Sequence, residues 1–488
     1  MHPDPTKLII VSNRGPNDFV WRENHWEVKA SSGGLVSMIE PLARRPDVAW
    51  FCCVSEPPPT DGSRQELFTT AADQTDPKHH IVPVPLPSEI YQAYYGAISN
   101  EVLWMLQHHL VGQFGYSSLD EERHRAWSDG YLEGNRRVAQ AIRESGITPR
   151  AFLIQDYHLY PLPALLREAF PEVPSLHFTH IPFPDAATLK LIPQSWRDSI
   201  LHGLLGADVV GMQTEWDARP FLGCCEELLG ARVDYKNKTV EARDGRLVRV
   251  RTFAASADPA AVERSMRAPE VTAARDRLRE WSGTRREDGK QTIIRVDRLD
   301  PSKNQIIGFR AFGRLLELCP DLRCSVRFLA FLVPSRTDLS VYRRYRDAVY
   351  AAIAEVNERF AAGCGGDPIQ VYYTNDREQA LAAMELCDVL LVNSREDGMN
   401  LVVKEWAIVS RRPGVAVISE TAGVAATTGD HALLVSPLDI EGTARAMKQA
   451  LEMSTEERSS RLEGLRENVN SWDAAAWLAA QLTELGVE

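Results

Sequence analysis

Asp388-Val-Leu-Leu-Val-Asn-Ser-Arg-Glu-Asp-Gly-Met-Asn-Leu-Val-Val-Lys-Glu-Trp406 decides the fold. Val389 to Val392 is a short, branched, apolar run, the form a buried parallel strand takes. Asn393 to Gly398 is polar. From Met399 to Val409 apolar residues recur at helical spacing. The stretch therefore reads as strand, tight loop, helix. In an open α/β sheet, ligands bind beyond the carboxyl ends of the strands. A helix that begins there turns unpaired N–H groups and the positive end of its dipole toward an anion. Gly398 lets backbone approach closely, and Asp397 and Glu405 are acceptors suited to sugar hydroxyls. Together they point to a site for a phosphorylated sugar donor.

The same alternation extends outward. Upstream lie Thr292–Val296, Val326–Val333 and Ile369–Tyr373; downstream lie Val415–Ile418 and Ala432–Ser436. A separate series precedes it: Leu8–Ser12, Trp50–Val54, Ile81–Leu86, Phe152–Gln155, Leu176–Thr179 and Asp208–Met212, with helical segments between. Ser88 to Gly146 is aromatic-rich and reads as helical. Two βα series predict two doubly wound parallel sheets, facing across a cleft lined by strand carboxyl ends. The expected boundaries are 1–255 and 256–470, followed by a helix over 471–488. Ala257 to Lys290 reads as charged and helical, with a polar turn at 284–289.

At 488 residues the chain exceeds one compact core. With 55 Lys and Arg against 67 Asp and Glu, the net charge is −12. That argues against nucleic acid or an anionic membrane as partner, though not against a small anion in a local basic pocket. No apolar run is long enough to span a bilayer, and Met1-His-Pro-Asp-Pro5 lacks the basic and apolar regions of a signal peptide. The eight cysteines include the adjacent pairs Cys52–Cys53 and Cys224–Cys225, which read as buried thiols rather than a disulfide or zinc framework. A cytoplasmic protein is expected. Oligomeric state is open, a homo-oligomer included.

Arg298 and Lys303 flank Pro301 in the loop after the Thr292 strand. Alone, such a pair is a solvated charged loop. Beside the Asp397 loop in the same series, it becomes a clamp for a diphosphate, Arg acting bidentately and Lys as a point charge. Asp156 and His158 follow one strand of the first series, and His180 follows the next on a loop bracketed by Pro182 and Pro184. They are equally readable as backbone caps or as partners for sugar hydroxyls. Arg14, the Gly33-Gly34 pair and Arg336 are further anion-site candidates. Tyr95 and Trp104 are by default core aromatics. Metal-ligand spacing, a G-x-S-x-G elbow and a P-loop are all missing, which disfavours metal, serine-hydrolase and Walker-type chemistry.

In order along the chain, these motifs resemble the trehalose-6-phosphate synthase family, glycosyltransferase family 20. They are Ser-Asn-Arg at 12–14, Gly-Gly-Leu at 33–35, Ser-Asn-x-Val-Leu-Trp at 99–104, Asp-Tyr-His-Leu at 156–159, His-Ile-Pro-Phe-Pro at 180–184 and Gln-Thr-Glu at 213–215. After these come Arg-Leu-Asp-x-Ser-Lys at 298–303, Asp-Gly-Met-Asn-Leu-Val-x-Lys-Glu at 397–405 and Ser-Glu-x-Ala-Gly at 419–423. The resemblance implies a GT-B fold of two Rossmann-like domains, with the first binding acceptor, the second binding donor, and the last helix returning to the first. It implies transfer of glucose from a nucleotide diphosphate glucose, UDP or GDP, to glucose 6-phosphate. Configuration would be retained by a front-face route without metal or other cofactor. It further implies that Gly33, Gly34, Arg298, Lys303, Asp397, Gly398, Met399, Asn400, Leu401 and Glu405 hold the donor. Arg14, Tyr95, Trp104, Asp156 and Arg336 would hold the acceptor, and Asp156, His180, Arg298 and Lys303 would serve the reaction itself.

The chain departs from the family pattern at Gln155, where His is usual, at Pro301 and Asn304, where Tyr and Gly are usual, and over Phe253–Asp258. Asp300-Pro-Ser-Lys-Asn304 also resembles the pseudo-glycosyltransferase branch, which couples a nucleotide cyclitol to a phosphorylated amino-cyclitol. That branch, another phosphorylated acceptor, and a catalytically silent sugar-phosphate-binding protein are the alternatives.

Overall fold

The computed structural model describes residues 6–31, 33–56, 63–76, 79–112, 118–282 and 290–487. Met1–Pro5, Ser32 and the polar turn expected at 284–289 lie outside them. The chain forms two compact units, one of Met1–Phe253 with Ala475–Glu488, the other of Ala254–Ala474.

The first unit carries β1 (Lys7–Ser12), β2 (Asn17–Arg22), β3 (His25–Ala30), β4 (Val48–Glu56), β5 (Ile81–Pro87), β6 (Pro149–Gln155), β7 (Ser175–Phe178), β8 (Val209–Met212), β9 (Val233–Asp234), β10 (Thr239–Glu241) and β11 (Leu247–Thr252). Among the described residues, nine of these form one sheet in the order β5-β4-β1-β6-β7-β8-β11-β10-β9. All neighbours are parallel except β10, which runs against both β9 and β11. Chain direction across the sheet reverses between β1 and β6, so the loops after these two strands meet at its switch point. The β2–β3 hairpin stands apart, closed by Trp21 edge-on to Trp26 at 5.3 Å. Neither it nor the β9–β10–β11 meander was read from sequence. The helix Ala474–Leu485 belongs to this unit: Glu484 binds Arg249 at 2.9 Å and Arg251 at 2.7 Å, and Trp477 donates to the Phe253 carbonyl at 3.1 Å.

The second unit carries β12 (Gln291–Arg298), β13 (Val326–Val333), β14 (Ile369–Tyr373), β15 (Val389–Val392), β16 (Val415–Ser419) and β17 (Leu433–Val435). Its sheet is parallel throughout, in the order β14-β13-β12-β15-β16-β17. The switch point falls between β12 and β15, which precede the Arg298–Lys303 loop and the Asp397 loop. All four residues of β15 are buried, as its unbroken apolar run requires. These are the two doubly wound α/β sheets of the GT-B fold.

Two details correct the sequence reading. The helix of the opening stretch runs Leu401–Val409, because Asn400 adopts a left-handed conformation (φ 73°) and stops it from starting at Met399. Cysteine usage is mixed. Cys52, Cys53, Cys224 and Cys225 are buried thiols as expected, but Cys324 and Cys364 are joined in a disulfide, Cα atoms 4.8 Å apart. Their separation of 40 residues hid the pairing. Among the described residues, no helix is long and apolar enough to cross a membrane.

Candidate functional site

In the second unit the donor candidates gather around one carboxylate. Asp397 Oδ2 accepts from the Lys303 ammonium, from Ser394 Oγ at 3.2 Å and from Asn400 Nδ2 at 2.9 Å. Lys303 and Asp397 are both nearly buried, their side chains 12% and 13% exposed, so the pair acts in a poorly screened setting. Because Asn400 turns its amide to Asp397, its side chain does not cap the helix Leu401–Val409. A helix N-terminus without a side-chain cap is the kind of end that favours an anion. The loop between is held by strand-like pairing: Gly423 N–H donates to the Asp397 carbonyl and Val424 N–H to the Met399 carbonyl, both at 2.8 Å. A Cβ on Gly423 would stand 1.8 Å from the Gly398 oxygen, so only glycine permits this approach.

Lys303 is positioned by the turn Pro301–Lys303, which begins after Asp300; the Asp300 side chain accepts from Ser302 N–H at 3.0 Å. Asn304 follows with φ 56°. Asn tolerates that left-handed region, so it can stand where the related motif has Gly. Its amide ties the turn to the carbonyls of Asn393 (3.0 Å) and Pro437 (2.6 Å). Arg298 is half-buried at the end of β12 and contributes to the electrostatics of the Tyr342 hydroxyl. Arg336, also φ > 0, donates to Asp300 at 2.8 Å and to Tyr342. Glu405, in the second turn of its helix, pairs with Arg377 at 3.1 Å.

Sequence reasoning missed Arg295, inside β12. It is fully buried, donates to Asp297 Oδ2 at 2.7 and 3.0 Å and to Asn393 Oδ1 at 3.3 Å, and holds the Lys303 carbonyl at 2.8 Å. A Cβ on Gly308 would lie 2.6 Å from this guanidinium, so the glycine makes its room. An arginine amid a strand's apolar run carries no motif; the only available signal was its conflict with that run.

In the first unit, Asp156 directly follows β6 with φ 76°, a conformation costly for a non-glycine. It is held by its N–H to the Phe178 carbonyl (2.7 Å) and by Oδ1, which accepts His180 N–H at 3.1 Å. Asp156 and His180 are therefore brought together. His180 Nε2 lies 2.9 Å from Gln155 Oε1, an acceptor, so this nitrogen bears the hydrogen. Burial lowers the His180 pKa, keeping the ring neutral. Tyr95 stacks on His158 at 5.7 Å, His158 meets Tyr157 at a tilt at 4.0 Å, and Tyr157 packs on Trp104 at 5.8 Å. Trp104 is buried and Tyr95 half-buried. Arg14, half-exposed after β1, chelates Asp18 at 2.6 and 3.2 Å and lies within electrostatic reach of Tyr91 and Tyr95. Gly33, at φ 149°, precedes the helix Gly34–Ala43. Among the described residues, no group of three or more His, Cys, Asp or Glu is placed to hold a metal ion.

The family model for glycosyltransferase family 20 matches residues 6–486. A trehalose-6-phosphate synthase of Mycolicibacterium vanbaalenii is 34% identical, over 98% of this chain and 95% of its own. Among solved structures, α,α-trehalose-phosphate synthase (UDP-forming) from Burkholderia xenovorans in complex with glucose-6-phosphate superposes with TM-score 0.80 at 26% identity, covering 98% of this chain and 100% of that one. The structure described as trehalose-6-phosphate from E. coli bound with UDP-2-fluoro glucose gives TM-score 0.81 at 26% identity, covering 98% and 99%.

Proposed function

The chain belongs to glycosyltransferase family 20, and from that premise we propose that it transfers glucose from a nucleotide diphosphate glucose to glucose 6-phosphate, forming trehalose 6-phosphate. The observation that carries this reading is the cluster at the switch point of the second sheet. There Lys303, Asp397 and the N-terminus of the helix Leu401–Val409 adjoin at strand carboxyl ends. The Burkholderia and E. coli structures, with glucose-6-phosphate and UDP-2-fluoro glucose, supply the two halves of the reaction by analogy.

Negative charge grows on the departing diphosphate as the glycosidic bond breaks. Arg298, Lys303 and the helix N–H groups stabilise that charge. Asp397, Gly398, Met399, Asn400 and Leu401 hold the sugar and phosphates, Glu405 holds the ribose hydroxyls, and the Gly33-Gly34 backbone contacts the donor. Arg14, Tyr95, Trp104 and Arg336 bind the acceptor's phosphate end, while Asp156 and the neutral His180 orient hydroxyls. Retention follows a front-face route in which the leaving phosphate takes the acceptor hydroxyl's proton. No cofactor is used, and positioning is the protein's main contribution.

Incubation with glucose 6-phosphate and UDP-, GDP- or ADP-glucose, following nucleotide release and disaccharide phosphate, tests the reading. An α,α-linked product formed in the presence of chelator is expected; no turnover with any donor refutes it. Arg298→Ala is expected to lower kcat by about 10²-fold or more. A rise in KM alone would refute its role in the transition state. A second reading, pseudo-glycosyl transfer, is favoured by the turn Asp300-Pro-Ser-Lys-Asn304, whose sequence resembles that branch. Turnover confined to nucleotide cyclitol and amino-cyclitol phosphate would select it.

A further inference from the structure

The two bridged cysteines stand in unlike places. Cys324 is exposed, two residues before β13. Cys364 is half-buried, between the helix Ser340–Phe360 and β14, with Gly363 and Gly365 on either side in left-handed conformations (φ 80° and 71°). The Cys364 carbonyl accepts from Arg327 Nη2 at 2.6 Å. Arg327, the second residue of β13, is 8% exposed. Among the described residues it has no carboxylate partner, and its Nη1 is buried without a hydrogen bond. Burial pulls its pKa down, and no opposite charge offsets the pull. The other charged side chains of the two segments, Asp321, Arg323 and Asp367, are exposed, where water screens them. The bridge also stands apart from the other thiols. Cys52, Cys53, Cys224, Cys225 and Cys387 are buried, and burial pushes the Cys53 and Cys224 thiols up to about 12, which leaves them inert.

A buried cation without a partner is costly, and an anion beside it relieves that cost. The sulfur of Cys364 belongs to the residue that Arg327 already holds, and it becomes an anion when the bridge opens. We propose that the Cys324–Cys364 bridge is a thiol–disulfide exchange site, opened by a low-molecular-weight thiol that attacks exposed Cys324 while Cys364 leaves as a thiolate beside Arg327. In the first step the external thiolate bonds to Cys324 Sγ, the S–S bond breaks, and its electron pair passes to Cys364 Sγ. In the second, another thiolate attacks the external sulfur of the mixed disulfide, Cys324 leaves as a thiolate, and the two external thiols depart as their disulfide. Two thiols thus supply the two electrons that the bridge takes up. Exposure selects the sulfur that is attacked. The guanidinium selects the one that leaves, because a nearby cation lowers a thiol's pKa and a thiolate of lower pKa departs faster. The loop closed by the bond contains the whole helix Ser340–Phe360, so the reductant sets the stability of the second unit, whatever the substrate.

The test treats the native protein with millimolar reduced glutathione, traps it early with N-ethylmaleimide and maps the adducts by peptide mass. Glutathione is expected on Cys324 and maleimide on Cys364, in about tenfold excess over the reverse arrangement. An even split, the reverse arrangement, or a bridge that glutathione opens only in denatured protein overturns the proposal. Arg327→Gln is expected to slow the opening step by about fivefold or more, and Arg327→Lys, which keeps the charge, to hold it within about twofold. An arginine that merely packs the segment would loosen it when replaced and speed the attack, so an unchanged or faster rate in Arg327→Gln also overturns the proposal. Should Arg327→Gln fail to fold, the position of the adduct in the unmodified protein still decides.

Discussion

Replacing Arg295 by methionine removes a buried cation while leaving its aliphatic volume largely filled. Asp297, its side chain 2% exposed, then keeps a carboxylate with no counter-charge from Arg295, and the Lys303 carbonyl and Asn393 Oδ1 each lose a donor. Breaking one side of a buried pair costs about 3–5 kcal/mol. The opening equilibrium of the second unit should therefore rise by about a hundredfold to a few thousandfold. Burial pushes the Asp297 carboxyl's pKa up even beside Arg295, so without Arg295 it can escape part of the cost by taking a proton, and the destabilisation grows with pH. Cys387 reports on it. It is fully buried two residues before β15 and bonded by Trp406 Nε1 at 3.0 Å. Thiol labelling in the native state, resolved by peptide mass, should show Cys387 reacting faster by that factor in Arg295→Met. Cys225, buried in the first unit, should keep its rate. Arg295→Met/Asp297→Leu removes both charges. It should recover to within about 1–2 kcal/mol of the parent, the residue being the two acceptors still unserved. Labelling of Cys387 within about threefold of the parent in Arg295→Met, or a double variant as unstable as the single, would refute this account.

Gly423→Ala forces a Cβ against the Gly398 carbonyl, backbone on both sides, and should cost about 1–3 kcal/mol; steady-state kinetics should show the loss in kcat/KM for the donor, with the acceptor KM little changed. The Cys324–Cys364 bridge spans 40 residues, so its reduction should destabilise the second unit by up to about 4 kcal/mol, seen as faster Cys387 labelling. Six thiols should titrate in denatured, unreduced protein and all eight cysteines after reduction. His177 is buried in β7 with Nε2–H on the Asp156 carbonyl at 3.2 Å, and burial pushes its pKa down to about 3. The unfolded ring, near its usual value, takes a proton that the folded ring refuses. Its contribution is therefore complete above about pH 6.5 and lost as pH falls toward 3, about 2 kcal/mol of it by pH 5. The acid slope of Tm should flatten in His177→Gln.

The strands of both sheets were legible because a parallel strand covered on both faces must be an apolar run, and β1, β12 and β15 are written that way. The short β9–β10–β11 meander has no such run: β9 is two residues long and β10 three, and sheet membership comes from pairing alone. The site loops were legible where polar residues follow those runs directly, as at Arg298, Asp397 and Asp156. What single residues do inside the loops was not. Asp397 and Lys303, read separately as sugar and phosphate contacts, are paired with each other, and Glu405 is paired with Arg377. Under the proposed function, a donor reaching these residues would meet groups already paired with one another, a competition that spacing cannot disclose.

Trp104 is buried, as expected of a core aromatic, and Tyr95 half-buried, yet an ordinary helical reading misplaces the two rings relative to each other. Nine positions apart in an α-helix, at about 3.6 residues per turn, they would point half a turn away from each other, and core packing would be the natural reading. Gln92–Leu103 instead winds with i→i+5 bonds: Trp104 N–H donates to the Ser99 carbonyl, and the Ser99 and Asn100 side chains bond the Tyr94 and Tyr95 carbonyls, five residues back. At about 4.4 residues per turn, nine positions are close to two full turns, which returns both rings to one face. That face is occupied by Tyr157 and His158, directly after Asp156. The wider winding aligns the aromatic pair with the loop after β6, and Ser99 and Asn100, unremarkable as helix residues, help hold it. Turns of this kind have no apolar period of their own, so the shared face of Tyr95 and Trp104 becomes visible only once the hydrogen bonds are seen.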